Sequence, residues 1–425
     1  MINDKAIDEI LSDLVKSGSD ISYLEELRKN AHDEIKKDID LKEVLKSISD
    51  EIEYISLSFL NKKNNYNTNV ISGFSTGIYL PNYKYVLVGG NRSREDDKKI
   101  DFDTVFDVAS ITKLYTLLLT FKLEEIGLID LNSKVSEVNP DFKGLSDYSF
   151  NDLIRLYGEL RTNGWINNAS SYEEAYEIFK TLYVFNDDKS IIKYNDFGSM
   201  VIADTISKIV SSKLGKKMSF DEIMNEFLFK PLNIYNTMFN PKTTNISGNG
   251  YSKTYPFDTK ARLFNGVNGH AGLFTSSSDL IILANSLFNS NYLTEEHISR
   301  LSSYNIEGNV KGNMGLYLKH KDGYKMTYSP SEYSDESFTS QGWTGSIASF
   351  DIKNKIHNSI LVNAIINDDK DRVLNNKPKM FLESFDEYEM QLVKRIMLMY
   401  VVKKYYNKYC NYDESIEVRR VLSIW

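Results

Sequence analysis

An α/β architecture, a sheet domain interrupted by an inserted helical domain, is what the order of elements along this chain predicts. Three observations carry that expectation. Strand-like runs stand on either side of the chain's middle, from Val70 to Val88 and again from about Phe338 to Asn367. Between them, from Ile111 to about Lys230, apolar residues recur mostly at helical spacing with polar loops between. Further helical stretches lie outside both, at about residues 3–60 and from about Glu387 to Tyr409.

Taken in order, Ile7, Ile10, Leu11 and Leu14 form one helical stripe, and Leu41, Val44, Leu45, Ile48 and Ile52 another. Ser17-Gly-Ser-Asp20 supplies turn chemistry between them. Residues 1–65 thus read as a helical extension, a cap or oligomerisation element, ahead of a domain over 66–425 with its inserted helical part at about 130–330. The Asn-rich stretch Asn61–Asn69 reads as a loop. Val70–Leu80 and Tyr83–Val88 are strands of a hairpin joined by Pro81-Asn82. Asp103–Ala109 is extended and apolar, ending on a small residue. Leu114, Leu117, Leu118 and Phe121 then make one buried helical stripe, with Gly127 as its stop signal. Ile347–Phe350 and Ser359–Ile366 read as strands. The closing helix carries Lys394, Arg395, Lys403, Lys404 and Lys408 among apolar residues, a pattern that allows a membrane-surface helix but better fits a helix packed on a sheet with a solvated basic face.

Composition excludes several functions. A chain of 425 residues with net charge −8 and no basic patch is a poor partner for nucleic acid. The single cysteine, Cys410, permits neither an internal disulfide nor a Cys-based zinc site. The five histidines form no H-x-x-x-H or H-E-x-x-H pattern, so a metalloenzyme is not expected, and the serine chemistry read below implies no cofactor. No apolar run is long enough to span a bilayer. The first residues are polar and charged, without the features of a secretory leader, which makes the cytoplasm the expected location.

The most informative stretch is Ser110-Ile-Thr-Lys113, which puts a hydroxyl and an amine three residues apart where a helix should begin. Residues at that spacing share a helix face. The helix N-terminus favours an oxyanion and disfavours a protonated lysine, and burial acts in the same direction. The expectation is a neutral Lys113 that deprotonates Ser110 without a histidine.

In its context, Asp103-Thr-Val-Phe-Asp-Val-Ala-Ser-Ile-Thr-Lys113, the motif resembles the nucleophile segment of the serine β-lactamase and penicillin-binding protein superfamily. It is most similar to the branch of class C β-lactamases, D,D-peptidases and related esterases. Tyr194-Asn-Asp196, ahead of a helical stripe, resembles that superfamily's Y-x-N element in its Y-S-D form. Phe229–Pro241 and Ala261–Leu280 resemble two further family segments, so the resemblance extends over roughly residues 70–367. His270 within the second of these reads as a structural loop histidine.

The resemblance implies a β-lactamase-like fold, an antiparallel sheet flanked by helices with an inserted α-helical domain, and a serine hydrolase acting through an acyl-enzyme. Ser110 would be the nucleophile, Lys113 and Tyr194 its proton carriers, and Asp196 a substrate- and lysine-orienting group. An aspartate there adds a negative charge that tends to keep Lys113 protonated and disfavours acidic substrates. Relatives carry K-T-G or H-T-G on the strand beside the nucleophile. Here Ser340-Gln341-Gly342 takes that place, with Trp343-Thr-Gly345 as the rival register, and the usual cation is missing under both. Under the first register the Trp343 N–H joins that of Ser110 in the oxyanion hole. Arg155 and Glu159 depart from the family's D-L-L-T-H-T-S-G-L run without a visible reason. The implied substrate is a β-lactam, a D-amino-acid peptide or a small ester.

Overall fold

The computed structural model describes residues 3–37, 39–63, 69–94, 97–248, 255–289, 292–303, 312–319, 329–364 and 379–422. Residues 64–68 of the Asn-rich loop and the end of the expected strand at 365–366 lie outside them. Its centre is a seven-stranded sheet, in the order Ile416–Val421, Tyr83–Gly90, Gly73–Leu80, Ile356–Val362, Ile347–Asp351, Ser337–Gln341 and Tyr317–Leu318. Neighbours are antiparallel except for the terminal strand, which runs parallel to Tyr83–Gly90. In the first hairpin Leu80 faces Tyr83, so Pro81-Asn82 is the whole turn. Asn82 takes the left-handed conformation this needs, at φ 56°, which asparagine tolerates better than most residues.

The expected antiparallel sheet flanked by helices is therefore present, with one parallel strand added. Ile416–Val421 went unforeseen because its alternation is weak: Arg420 sits among the half-buried positions and Val421 among the exposed ones. Gly73–Leu80 is buried at every position, as befits a strand covered on both faces.

Each face has its own core. On one, Phe74, Ile78, Leu87 and Ile360 pack with the helices Asp4–Lys16, Leu24–Lys36 and Leu41–Leu60 and with the C-terminal helix Lys379–Tyr409. Ile7, Val44 and Ile52 have no exposed surface at all. Burying each such aliphatic side chain contributes roughly 1.5–3 kcal/mol. The N-terminal helices are thus part of the sheet's own packing. The C-terminal helix docks as expected, with Arg395 on Glu51 at 3.0 Å and Lys408 on Glu9 at 3.4 Å. Lys403 is the correction: it is buried, and burial pushes its ammonium below the usual lysine range. Among the described residues no helix is long and apolar enough to cross a membrane.

On the other face, Val86, Val88, Phe338 and Phe350 pack with the helix Thr112–Glu125 and with the helical region that follows it. Thr112–Phe121 is buried all round, not along one stripe, because the helix runs through the core. Its polar side chains are satisfied internally: Thr116 Oγ1 donates to the Gly269 carbonyl at 2.8 Å and Thr120 Oγ1 to Thr116 O at 2.6 Å. A small second sheet, Met238–Phe239, Leu273–Thr275, Val105–Asp107 and Ile246–Ser247, delivers the chain to the start of this helix.

Candidate active site

The short strand Val105–Asp107 leads into a single 3-10 turn, Ala109–Ile111, and the α-helix starts at Thr112. Ser110 sits in that turn directly after Ala109, which is held at φ 43°. A left-handed alanine costs roughly 1–2 kcal/mol and persists only where its surroundings enforce it. Here Asp107 does so. Its Oδ1 accepts from Ala109 N–H at 2.9 Å, and Thr112 Oγ1 donates to Ala109 O at 2.6 Å. Asp107 also accepts from Phe257 N–H through Oδ2 at 2.6 Å, and from Thr344 Oγ1 through its carbonyl at 2.8 Å. One carboxylate-bearing residue thereby joins the Ser110 turn to two distant loops. Burial pushes its carboxyl up to about 6, against the two backbone hydrogen bonds that favour the ionised form.

Lys113 is 2 % exposed and lies at the centre of the site. Its Nζ donates to Ser110 Oγ at 3.0 Å, to Asp196 Oδ1 at 2.8 Å and to the His270 carbonyl at 3.3 Å. The other Asp196 oxygen, Oδ2, is 2.9 Å from Lys260 Nζ. Burial alone would lower the Lys113 ammonium, but Asp196, helped by Tyr194, outweighs it and the net shift is upward. Burial raises the Asp196 carboxyl, yet Lys113, His270 and Lys260 hold it well below the ordinary carboxylate range. The resting site is therefore an ammonium–carboxylate pair. The expectation of a neutral Lys113 does not survive this geometry: burial is the largest single effect on it, but Asp196 and Tyr194 acting together outweigh burial.

Tyr194 lies on the loop ahead of the helix Phe197–Leu214, as its sequence context predicts. Lys113 Nζ is 4.9 Å from its ring centroid, and Tyr194 adds to what raises the Lys113 ammonium. Gly315 makes room for that ring: at φ 79°, a Cβ there would stand 2.4 Å from Tyr194 Cε2. Tyr317, on the edge strand, feels both Tyr194 and Lys113, and burial is the main reason its hydroxyl stays protonated above the ordinary tyrosine range.

The strand Ser337–Gln341 runs beside the Ser110 turn and carries no cation. Of the two registers, Gly342 is the residue against that turn, since a Cβ on it would lie 2.3 Å from Val108 O. Gly345, at φ 92°, packs instead towards Val362 and Ala364. Gly342 N–H is committed to Ser346 O at 2.8 Å, so the next N–H, of Trp343, is the candidate oxyanion donor. The Trp343 side chain is 69 % exposed. Ser340 is buried, and Gln341 Nε2 is buried with no acceptor among the described residues.

Lys260 is the functional candidate that sequence reasoning missed. It stands on the short helix Thr259–Leu263, one residue before the stretch that carries the family resemblance, and nothing local marks it. His270 is buried as expected of a structural residue, but its partner is a side chain: Nε2 lies 2.8 Å from Asp258 Oδ1. Asp196, Asp258 and His270 offer three ligand atoms within 4.8 Å of one another. They do not fit a metal ion, because both Asp196 oxygens already face ammonium groups and His270 Nε2 faces Asp258. Arg155 and Glu159 lie apart from this network. Arg155 stacks on Tyr157 at 5.8 Å, and Glu159 pairs with Arg161 at 2.7 Å and Lys193 at 2.8 Å.

The Beta-lactamase family profile matches residues 69–376. A putative D-alanyl-D-alanine carboxypeptidase of Salmonella agona (strain SL483) is 25 % identical over 309 residues, covering 61 % of this chain and 69 % of that protein. The D-amino acid amidase of Ochrobactrum anthropi SV3, solved with L-phenylalanine amide, superposes with a TM-score of 0.60 at 15 % identity. The match covers 83 % of this chain and 99 % of the amidase. EstCE1, described as a hydrolase with promiscuous acyltransferase activity, gives a TM-score of 0.59 at 14 % identity over 81 % of this chain and 99 % of its own. At such identities the two solved structures establish the fold.

Proposed function

The chain belongs to the Beta-lactamase family, and on that premise we propose that it is a serine hydrolase that opens an amide or ester through a Ser110 acyl-enzyme. One observation carries the reading: Lys113 Nζ is within hydrogen-bonding distance of Ser110 Oγ, at 3.0 Å, in a buried site. The resting Lys113 is an ammonium, so it must unload a proton before it can act as base. Solvent takes that proton, from a fraction of the molecules that rises with pH. Neutral Lys113 then takes the Ser110 proton as Oγ attacks the carbonyl carbon. The backbone N–H groups of Ser110 and Trp343 hold the oxyanion, a contribution usually worth several kcal/mol. Tyr194 gives its hydroxyl proton to the leaving group and recovers one from the Lys113 ammonium, and water attacks the acyl-enzyme by the reverse path.

Substrates are a β-lactam, a D-amino-acid peptide or a small ester, and the charge pattern favours uncharged ones. The Ser337–Gln341 strand has only a hydroxyl and an amide to offer a substrate carboxylate, and Lys260 already faces Asp196. Charge-assisted hydrogen bonds are roughly twice as strong as neutral ones, so that anchor is missed. A neutral short-chain p-nitrophenyl ester should therefore exceed a penicillin in kcat/KM.

A second reading, a family member that binds ligand but turns it over poorly or not at all, draws on the same ion pair, which keeps the base protonated. Intact mass spectrometry after exposure to a fluorophosphonate and to a β-lactam separates the two. The hydrolase reading expects a single adduct on Ser110 that is lost in Ser110→Ala. Binding without any adduct supports the second reading, and an adduct mapped to another residue overturns the mechanism.

A further inference from the structure

Two ammonium groups share one carboxylate at the centre of this site. Asp196 Oδ1 is 2.8 Å from Lys113 Nζ, and its Oδ2 is 2.9 Å from Lys260 Nζ. Lys260 comes from a separate element, the short helix Thr259–Leu263, and its side chain is 19 % exposed. Its placement is fixed from below. Asp258 caps that helix by accepting from Ala261 N–H at 2.8 Å and is itself bonded to the buried His270 at 2.8 Å. The preceding Phe257 N–H is bound by Asp107, the residue that holds the nucleophile turn. The loop bearing Lys260 and the turn bearing Ser110 are thus built on one anchor.

We infer that Lys260 is a positioning residue that sets the pH at which Lys113 becomes a base, by competing with Lys113 for Asp196. The inference rests on the hydrolase reading only for the role of Lys113, not for the electrostatics. Two effects act in the same direction. Lys260 draws on the negative charge that holds the Lys113 proton, and its own positive charge repels that proton across the carboxylate. Like charges separated by one carboxylate interact by about one to two pH units at the effective dielectric of protein interiors. The other groups around Lys113 leave this competition as the adjustable element. Burial keeps the Tyr317 hydroxyl protonated, the Tyr194 ring centroid lies 4.9 Å from Nζ, His270 offers it a backbone carbonyl, and Ser110 a hydroxyl. Asp258 acts on Lys260 and is turned towards His270.

On the rising limb of the pH profile, kcat/KM follows the fraction of neutral Lys113. Lys260→Met should lower kcat/KM for a neutral p-nitrophenyl ester about tenfold or more at pH 8, by moving the limb about one unit or more to higher pH. Lys260→Arg, which keeps the charge, should restore the wild-type limb. A purely structural role would lower activity at all pH values without moving the limb, and that result overturns the inference, as does an unmoved limb. Competitive labelling of Lys113 with acetic anhydride, read by peptide mass spectrometry at pH 9, reports the neutral amine without turnover. Slower labelling in Lys260→Met than in wild type is expected, and equal labelling refutes the inference. If wild type hydrolyses nothing and no Ser110 adduct forms, the hydrolase reading falls, while the labelling comparison still decides the role of Lys260.

Discussion

The Ser110 turn and the Asp258–His270 segment face each other across Lys113, and they reach that position by opposite routes. Ser110 and Lys113 are three residues apart, and the turn and helix that carry them bring Nζ to 3.0 Å from Oγ through local geometry alone. Lys260, Asp258 and the His270 carbonyl arrive from about 150 positions further along and meet the turn only because the fold closes. In the proposed mechanism the first region supplies the atoms that react. The second determines the charge under which they do so, since Asp196 is divided between a cation from each region. The protonation state of a lysine is thus a tertiary property even when its motif is local.

Lys113→Arg bears hardest on the local side of that comparison. A guanidinium remains protonated at any accessible pH, so turnover should fall about 10³-fold or more with the protein still folded. Retained turnover, measured with the neutral ester, would move the base to another residue. Asp107→Ala attacks the join between the regions. It frees Ala109 N–H and Phe257 N–H and leaves the left-handed Ala109 unsupported. A loss of about 10²-fold in kcat is expected, with destabilisation of about 3 kcal/mol in denaturant titration. Full activity would mean that the turn is held without it.

Asp196→Asn tests the charge balance itself. With the carboxylate gone, Lys113 loses what raises it, and the rising limb of kcat/KM should move at least about one unit to lower pH, opposite to Lys260→Met. Stability should respond too. Asp196 is held below its ordinary range, so the stability it contributes is full above about pH 4 and is lost as pH falls through its folded value. Lys113, held above its ordinary range, contributes stability below about pH 10.4 that is lost as pH rises through its folded value. Acid titration of Asp196→Asn should therefore be shallower than that of wild type; an equally steep curve would contradict the ion pair. Gly315→Ala has the smallest expected effect, a fall of about tenfold in kcat as the new Cβ displaces the Tyr194 ring. Gly127→Ala is its control, because Gly127 has a similar φ of 73° but open space around it. Equal losses in the two variants would show that backbone strain, not Tyr194, is responsible.

Much of this was legible beforehand. The two-residue hairpin turn at Pro81-Asn82, the strand at Ile347 and the closing helix follow from turn chemistry and periodicity, which act over a few residues. Ser110, Lys113 and Tyr194 were reached through short motifs for the same reason. The burial of Lys403, the edge strand Ile416–Val421 and the burial of Thr112–Phe121 on all sides were not, because burial depends on what packs from elsewhere.

By itself the sequence determined the alternation of sheet and helix, the chemistry carried by Ser110-Ile-Thr-Lys113, and the absence of a cation from Ser340-Gln341-Gly342. Only the tertiary structure decided that Asp107 ties three loops together, that Gly315 clears the space for Tyr194, and that Lys260 shares Asp196 with Lys113. The physical reason is range. Backbone propensity and helical spacing act between neighbours and leave a periodic trace in the chain, whereas Coulomb interaction and close contact depend on distance in space, which only the closed fold defines.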